Sequence, residues 1–295
     1  MLLAQLPFAP IPKKIAYNKK LALLGKSLFF DPLLSSDKSV SCASCHKPSH
    51  AGADNQALSQ GVGGQKGELN APTVYNAFFQ FAQFWNGRAS SLQEQAADPL
   101  HNPKEMNMST SLLLTRLQSS PYYKKAFKRL FGNQKITFDM VTQALAEFEK
   151  ALYTPNSKFD RFLRKEVSFT PQEQRGYLLF KKLGCVTCHN GVNLGGNSFQ
   201  KIGTIIPYRA PFPHDRYEVT KNTEDKGVYK VPSLRNVALS APYFHDGTIP
   251  TLRQAVAKMT YYNLGFYLST KEQEAIVAFL KTLTGQPPAI LQEEE

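Results

Sequence analysis

A mainly α-helical protein built from two similar halves is what this sequence predicts. Three observations carry that expectation. Apolar residues recur at helical spacing through most of the chain, the pattern Cys-x-x-Cys-His occurs twice, and a helix runs toward each copy. Strand signals are few and short. At 295 residues the chain is long enough for about two domains of ordinary size. Its 42% hydrophobic and 20% charged content is that of an ordinary globular protein. No apolar run approaches the ~20 residues needed to cross a bilayer.

Taken in order, the chain opens on MLLAQLPFAPIP, which has no basic n-region and too short an apolar stretch for a complete secretory signal. It reads as a mature terminus with the signal removed. NKKLALLGKSLFF (18–30) has helical spacing and leads to CASCH (42–46). Residues 47–104 are rich in Gly, Asn, Pro and Ser. Helical spacing resumes in TSLLLTRLQ, YYKKAFKRLFG and TFDMVTQALAEFEKAL. The polar stretch RKEVSFT places a domain boundary near 165, giving domains 1–165 and 166–295. Thr170 as N-cap, Pro171 at the first helical position and Glu173 closing a capping box start the helix that runs into CVTCH (185–189). Residues 190–250 form a second loop-rich segment, expected with 47–104 to wrap the cofactor edges and make the domain contact. STKEQEAIVAFLKTL is the last amphipathic helix. The tail PPAILQEEE is either flexible or packed across the other domain.

The four cysteines, Cys42, Cys45, Cys185 and Cys188, all fall in the two motifs, so none remains for a disulfide framework. A zinc ribbon is the alternative use of CxxC pairs. Its pairs normally lie ~15–20 residues apart, whereas these lie 143 apart and each is followed by histidine. The pattern points to a covalent c-type haem in each half. Cysteines three apart share one face of a helical turn, so both can form thioethers along one porphyrin edge. His46 or His189 then lies under the ring. The second axial position decides the chemistry: Met or His gives electron transfer, and an open site permits peroxide chemistry. Attachment of this kind takes place outside the cytoplasm, so the expected compartment is the periplasm. The net charge of +12 comes from basic residues spread along the chain, and haem propionates reduce it. That distribution speaks against nucleic-acid binding and for a surface that orients a protein partner.

Several longer stretches then resemble the bacterial dihaem cytochrome c peroxidases: LGKSLFFDPLLSSDKSVSCASCH, NAPTVYNAFFQFAQFWNGRASSLQEQA, EMN and VPSLRNVALSAPYFHDGTIPTLRQAV. The resemblance runs from about residue 21 to 285, with both haem motifs in the family order. It implies two cytochrome c-like domains, each with one covalently attached c-type haem. The first haem, on Cys42, Cys45 and His46, would be peroxidatic; the second, on Cys185, Cys188 and His189, would be the high-potential one, with Met259 as distal ligand. A related branch, the dihaem enzymes of methylamine utilisation, has tyrosine in place of this methionine, and Tyr261 and Tyr262 are out of register for it. The resemblance places Trp85, the only tryptophan, between the haems as an electron bridge. It makes Glu105 the distal acid/base and Gln95 a positioning residue near the same pocket. It also implies calcium between the domains, held by the Asn70 side chain and the carbonyls of Ser240 and Pro242. An interdomain hydrogen bond with no metal is the alternative.

The function so implied is reduction of hydrogen peroxide to water with electrons from a small cytochrome c or similar donor. The family also tends to dimerise. Two other readings are a non-enzymatic dihaem electron carrier, against which Glu105 and Gln95 argue, and a dihaem oxidase of a protein substrate, against which Met259 argues. One departure matters. Many members carry a histidine on the loop after the first motif that blocks the first iron until the second haem is reduced. Alignment of GVGGQKG puts Val62 there, and valine cannot ligate iron. His50 should lie on the proximal side. His101, four residues before Glu105, is the less remote substitute. His245 is expected at a haem propionate or the domain contact, and His214 at the surface.

Overall fold

Helix α1 (Lys19–Phe30) begins where the Asn18 side chain accepts the Leu21 N–H. In this computed structural model, which describes residues 7–209 and 212–294, the first haem motif follows as a single turn, α2 (Cys42–Cys45). The remaining first-domain helices are α3 (Leu92–His101), α4 (Thr110–Ser119), α5 (Pro121–Phe131) and α6 (Phe138–Ala151). After α7 (Lys158–Leu163) come α8 (Pro171–Lys182), α9 (Tyr217–Thr220), α10 (Leu252–Met259) and α11 (Thr270–Lys281). Two three-residue strands, β1 (Phe199–Lys201) and β2 (Val228–Lys230), pair antiparallel with Phe199 opposite Lys230. Thr170 and Glu173 cap each other as expected, at 3.3 and 2.7 Å. Ser269 and Glu272 do the same for α11. Helix α3 contains Pro99, which in sequence reads as a breaker.

Both domains are organised around one helix crossing. A Cβ on Gly25 of α1 would lie 1.9 Å from the Ala144 carbonyl oxygen of α6, and one on Gly176 of α8 1.9 Å from that of Ala275 in α11. Any larger residue would push the helices apart. Four residues on, Phe29 packs at 5.1 Å from Phe148 and Phe180 at 5.2 Å from Phe279. The same two rings each stand 6.4 Å from a motif histidine, His46 or His189. The crossing thus sets the floor under each haem site.

The second core also draws on residues before 165. Phe8 and Phe159 join Tyr177, Phe180 and Phe279 in it. Beside them Arg235 pairs with Asp160 at 2.8 Å, both fully buried, and Asp160 accepts the Ile11 N–H. Of the opening segment, residues 1–6 lie outside the described residues. The tail packs across the first domain: Ile290 is buried in that core, and Lys26 holds the carbonyls of Ile290, Leu291 and Glu293.

The contact between the domains is two-fold symmetric in its backbone. Residues 70–99 and 230–259 match at a constant offset of 160. Asn70 N–H donates to the His245 carbonyl at 2.8 Å, and Lys230 N–H to the Trp85 carbonyl at 2.7 Å. Lys230 is the counterpart of Asn70, and His245 of Trp85, so the two bonds are one bond made twice. Asn76 and Asn236, both at positive φ, donate to the same Thr154 hydroxyl at 2.7 and 2.9 Å. Phe84 and Phe244 repeat the positive φ further along. Among the described residues no helix is long and apolar enough to cross a membrane.

Candidate functional site

The two motif histidines are held alike. His46 Nδ1 lies 3.1 Å from the Gly52 carbonyl, and His189 Nδ1 lies 3.1 Å from the Leu194 carbonyl. A carbonyl on Nδ1 fixes the tautomer that leaves Nε2 as the ligand atom. Burial lowers both imidazoles, His189 to about 4, so each is neutral and able to ligate. Cys42, Cys45, Cys185 and Cys188 are free and half-buried. The first pair sits on a helical turn and the second on a tighter 3₁₀ turn. The donor set fits a haem in each domain.

Glu105 lies close enough to the first motif to act electrostatically on Cys42 and Cys45, and Val62 lies against it. Val62 is 6% exposed, and its N–H donates to the Glu105 carbonyl at 2.8 Å. Gly61 is pressed so close that an added Cβ would lie 2.5 Å from that same carbonyl oxygen. The loop is therefore seated on Glu105. The Glu105 carboxylate accepts from Asn102 Nδ2 at 2.7 Å. Burial raises its carboxyl above the usual range, with Asp98 adding to the rise and Asn102 opposing it. Gln95 lies half-buried on α3. His101 is turned to other work. Its Nδ1 lies 2.8 Å from the Met108 carbonyl, its Nε2 3.4 Å from Thr110, and its ring stacks on Phe138 at 5.0 Å.

Trp85 stands at the domain contact, with Nε1 donating to the Asn70 carbonyl at 2.9 Å. Its ring is 6.4 Å from His245 and 6.2 Å from Tyr229, both in the second domain. His245 is 2% exposed, stacks on Tyr229 at 4.4 Å, and leaves Nε2 with no partner. An orphaned ring nitrogen there, when it carries the proton, fits the expected carboxylate of a haem edge. Asn70 commits its amide N–H groups to the carbonyls of Gln56 and Ala57, which leaves Oδ1 for a cation. The Ala241–Pro242 peptide beside Ser240 is cis. Met259 ends α10, half-buried, and a π-turn over Thr260–Leu264 follows it. His214 lies at the surface, where it bridges Glu68 and Glu218 at 2.9 Å each, and Glu68 also pairs with Lys104.

Lys230 and Glu149 are buried charged residues that carry no motif in the sequence. Glu149 on α6 is buried without a hydrogen-bond partner among the described residues, and burial pushes its carboxyl up to about 8. The unfolded chain, with an ordinary carboxyl, binds fewer protons between about pH 4.5 and 8, so stability falls as pH rises through that window. Glu149→Gln should flatten the fall. In denaturant titrations of the holoprotein the variant should gain on wild type between pH 5 and 9, by up to ~5 kcal/mol at 1.36 kcal/mol per pH unit. A difference that is the same at both pH values would show an ordinary carboxyl there.

Residues 19–168 match the family described as di-haem cytochrome c peroxidase, and residues 173–284 match the cytochrome c family. The chain is 47% identical to a cytochrome c551 peroxidase of Nitrosomonas europaea, over 96% of this chain and 85% of that one. It is 43% identical to the cytochrome c peroxidase Ccp of Escherichia coli, over 98% of this chain and 63% of that longer protein. The crystal structure of a MauG-like protein associated with microbial copper homeostasis superposes with a TM-score of 0.84 at 28% identity, covering 96% of this chain and 95% of the other.

Proposed function

The chain belongs to the dihaem cytochrome c peroxidase family and is a cytochrome c peroxidase, and from that premise we propose that its first haem site is open to peroxide without reductive activation. One observation carries the reading: the asymmetry of the repeat. The position matching Met259, 160 residues earlier, is Pro99, which has no ligand atom. Val62 offers none either, and both nitrogens of His101 are engaged elsewhere. In this reading Cys42, Cys45 and His46 hold the peroxidatic haem in domain 1–165. Cys185, Cys188, His189 and Met259 hold the electron-transfer haem in domain 166–295. The haem that Cys42, Cys45 and His46 would hold would supply, when bound, the electrons needed to split the O–O bond.

The chain's own residues do the rest. Glu105 takes the proton from the peroxide oxygen that enters and returns it to the oxygen that leaves as water. Asn102 holds the Glu105 carboxylate, and Gln95 positions peroxide beside it. Trp85 provides the π system across the domain contact through which electrons reach the first domain. Electrons come from a small cytochrome c or similar donor, in the periplasm. Calcium on Asn70, Ser240 and Pro242 would stiffen the same contact, and a homodimer is the proposed assembly.

The test is electron paramagnetic resonance of the fully oxidised holoenzyme with rapid peroxide mixing. The expected result is no bis-histidine low-spin signal at the first haem and an immediate peroxide reaction. A bis-histidine signal, with no reaction until one electron is added, would overturn the proposal.

A further inference from the structure

Lys230 is a buried cation with no part in the proposed peroxidase reaction. Its side chain, on β2, is 7% exposed, and no carboxylate lies within ion-pair distance of it among the described residues. Its ammonium donates only to Gln80 Oε1, from the first domain's loop. Burial lowers its pKa to about 7. An amide oxygen alone compensates a buried ammonium poorly, because charges taken out of water need an opposite charge or several hydrogen bonds. The environment is therefore missing an anion.

Two facts locate that anion. First, the Gln80 side chain packs on Gly196, where an added Cβ would lie 2.8 Å from its Cγ. Gly196 ends the loop that starts at His189 and includes Leu194, the carbonyl partner of the His189 ring. Through Gln80, Lys230 is thus linked to the loop that holds the His189 ring, and the backbone of Pro232, two residues beyond Lys230, also bonds that ring. Second, the repeat offset of 160 maps Lys230 to Asn70 and Gln80 to Ser240. Those two are residues expected to hold a cation on the other side of the pseudo-two-fold. The contact then has two equivalent cation positions, one for an exchangeable ion and one filled by a tethered ammonium.

We propose that the Lys230 ammonium, steadied by Gln80 across the domain contact, binds a propionate carboxylate of the second haem. The inference rests on that haem being held at Cys185, Cys188 and His189. A cation at the haem edge favours the ferrous state, which carries one positive charge fewer, so Lys230 raises the second haem's potential. Removing it disfavours electron acceptance from the donor.

The experiment is spectroelectrochemical titration of holoenzyme, comparing wild type with Lys230→Met and Lys230→Arg, each first assayed for two attached haems. In Lys230→Met the second haem's one-electron equilibrium should shift about tenfold toward ferric, ~59 mV, with the first haem unmoved. Lys230→Arg should keep most of the wild-type value. The propionate-bending band in resonance Raman spectra of the wild type should shift in D2O, because its partner is an exchangeable N–H. That measurement needs no variant to fold. Unchanged potentials in Lys230→Met with both haems attached, a shift confined to the first haem, or a wild-type band insensitive to D2O would each overturn the proposal. A wild-type protein with one haem would instead overturn the reading beneath it.

Discussion

Glu105→Gln should leave both haems attached and lower steady-state peroxide turnover by about 10²-fold or more, the scale of losing a general acid/base. The amide keeps the size and the Asn102 contact but cannot exchange a proton. The reason to expect a large effect lies in how the carboxyl is held. It sits in a stretch pinned on both sides: Val62 N–H donates to its carbonyl and Asn102 to its carboxylate. Burial raises its pKa, so it can hold a proton where an exposed glutamate would have lost it. A group that must first accept and then return a proton works best near the operating pH. Turnover measured with reduced cytochrome c, on protein with an unchanged haem spectrum, checks this. Wild-type rates in the variant would remove Glu105 from the mechanism.

The helices were legible because their signals are local. Asn18, Thr170 with Glu173, and Ser269 with Glu272 announce their starts, and the observed caps use those side chains. The haem ligands were legible because thioether chemistry demands a fixed five-residue pattern. The roles proposed for Glu105 and Met259 rest on the family resemblance alone, since a lone glutamate and a lone methionine carry no pattern of their own. Lys230 was missed because a lysine in a strand of three residues reads as surface, and only tertiary packing buries it. A signal did exist. Aligning 70–99 with 230–259 pairs Asn76 with Asn236 and Gly87 with Gly247, and it sets Lys230 beside a proposed cation ligand. The helix crossings likewise show in retrospect as Gly25 and Phe29 against Gly176 and Phe180, each pair four apart. Their function depends on the facing helix, so the pairing becomes visible only once that helix is in place.

Met259→Ala should produce the other large effect, at the opposite end of the electron path. Axial-ligand identity moves haem potentials over a range of about 0.8 V, and a thioether favours ferrous iron relative to harder ligands. Replacing it with a methyl leaves the position to water or nothing, so the second haem's potential should fall. A fall on the order of 200 mV would disfavour reduction by roughly 10³-fold, at 59 mV per tenfold. The local structure explains why the residue is fixed there. Helix α10 ends at Met259, and the π-turn that follows is held by Thr260 Oγ1 on the carbonyls of Val256 and Ala257 and by Asn263 on Lys201 and Gly203. Such π segments are rare and frequently fall at functional sites. The decisive comparison is between the two haems of one molecule. In the variant only the second haem should change its potential, and the reduced donor should deliver electrons far more slowly. Potentials of both haems left unchanged by the substitution would show that the ligand lies elsewhere.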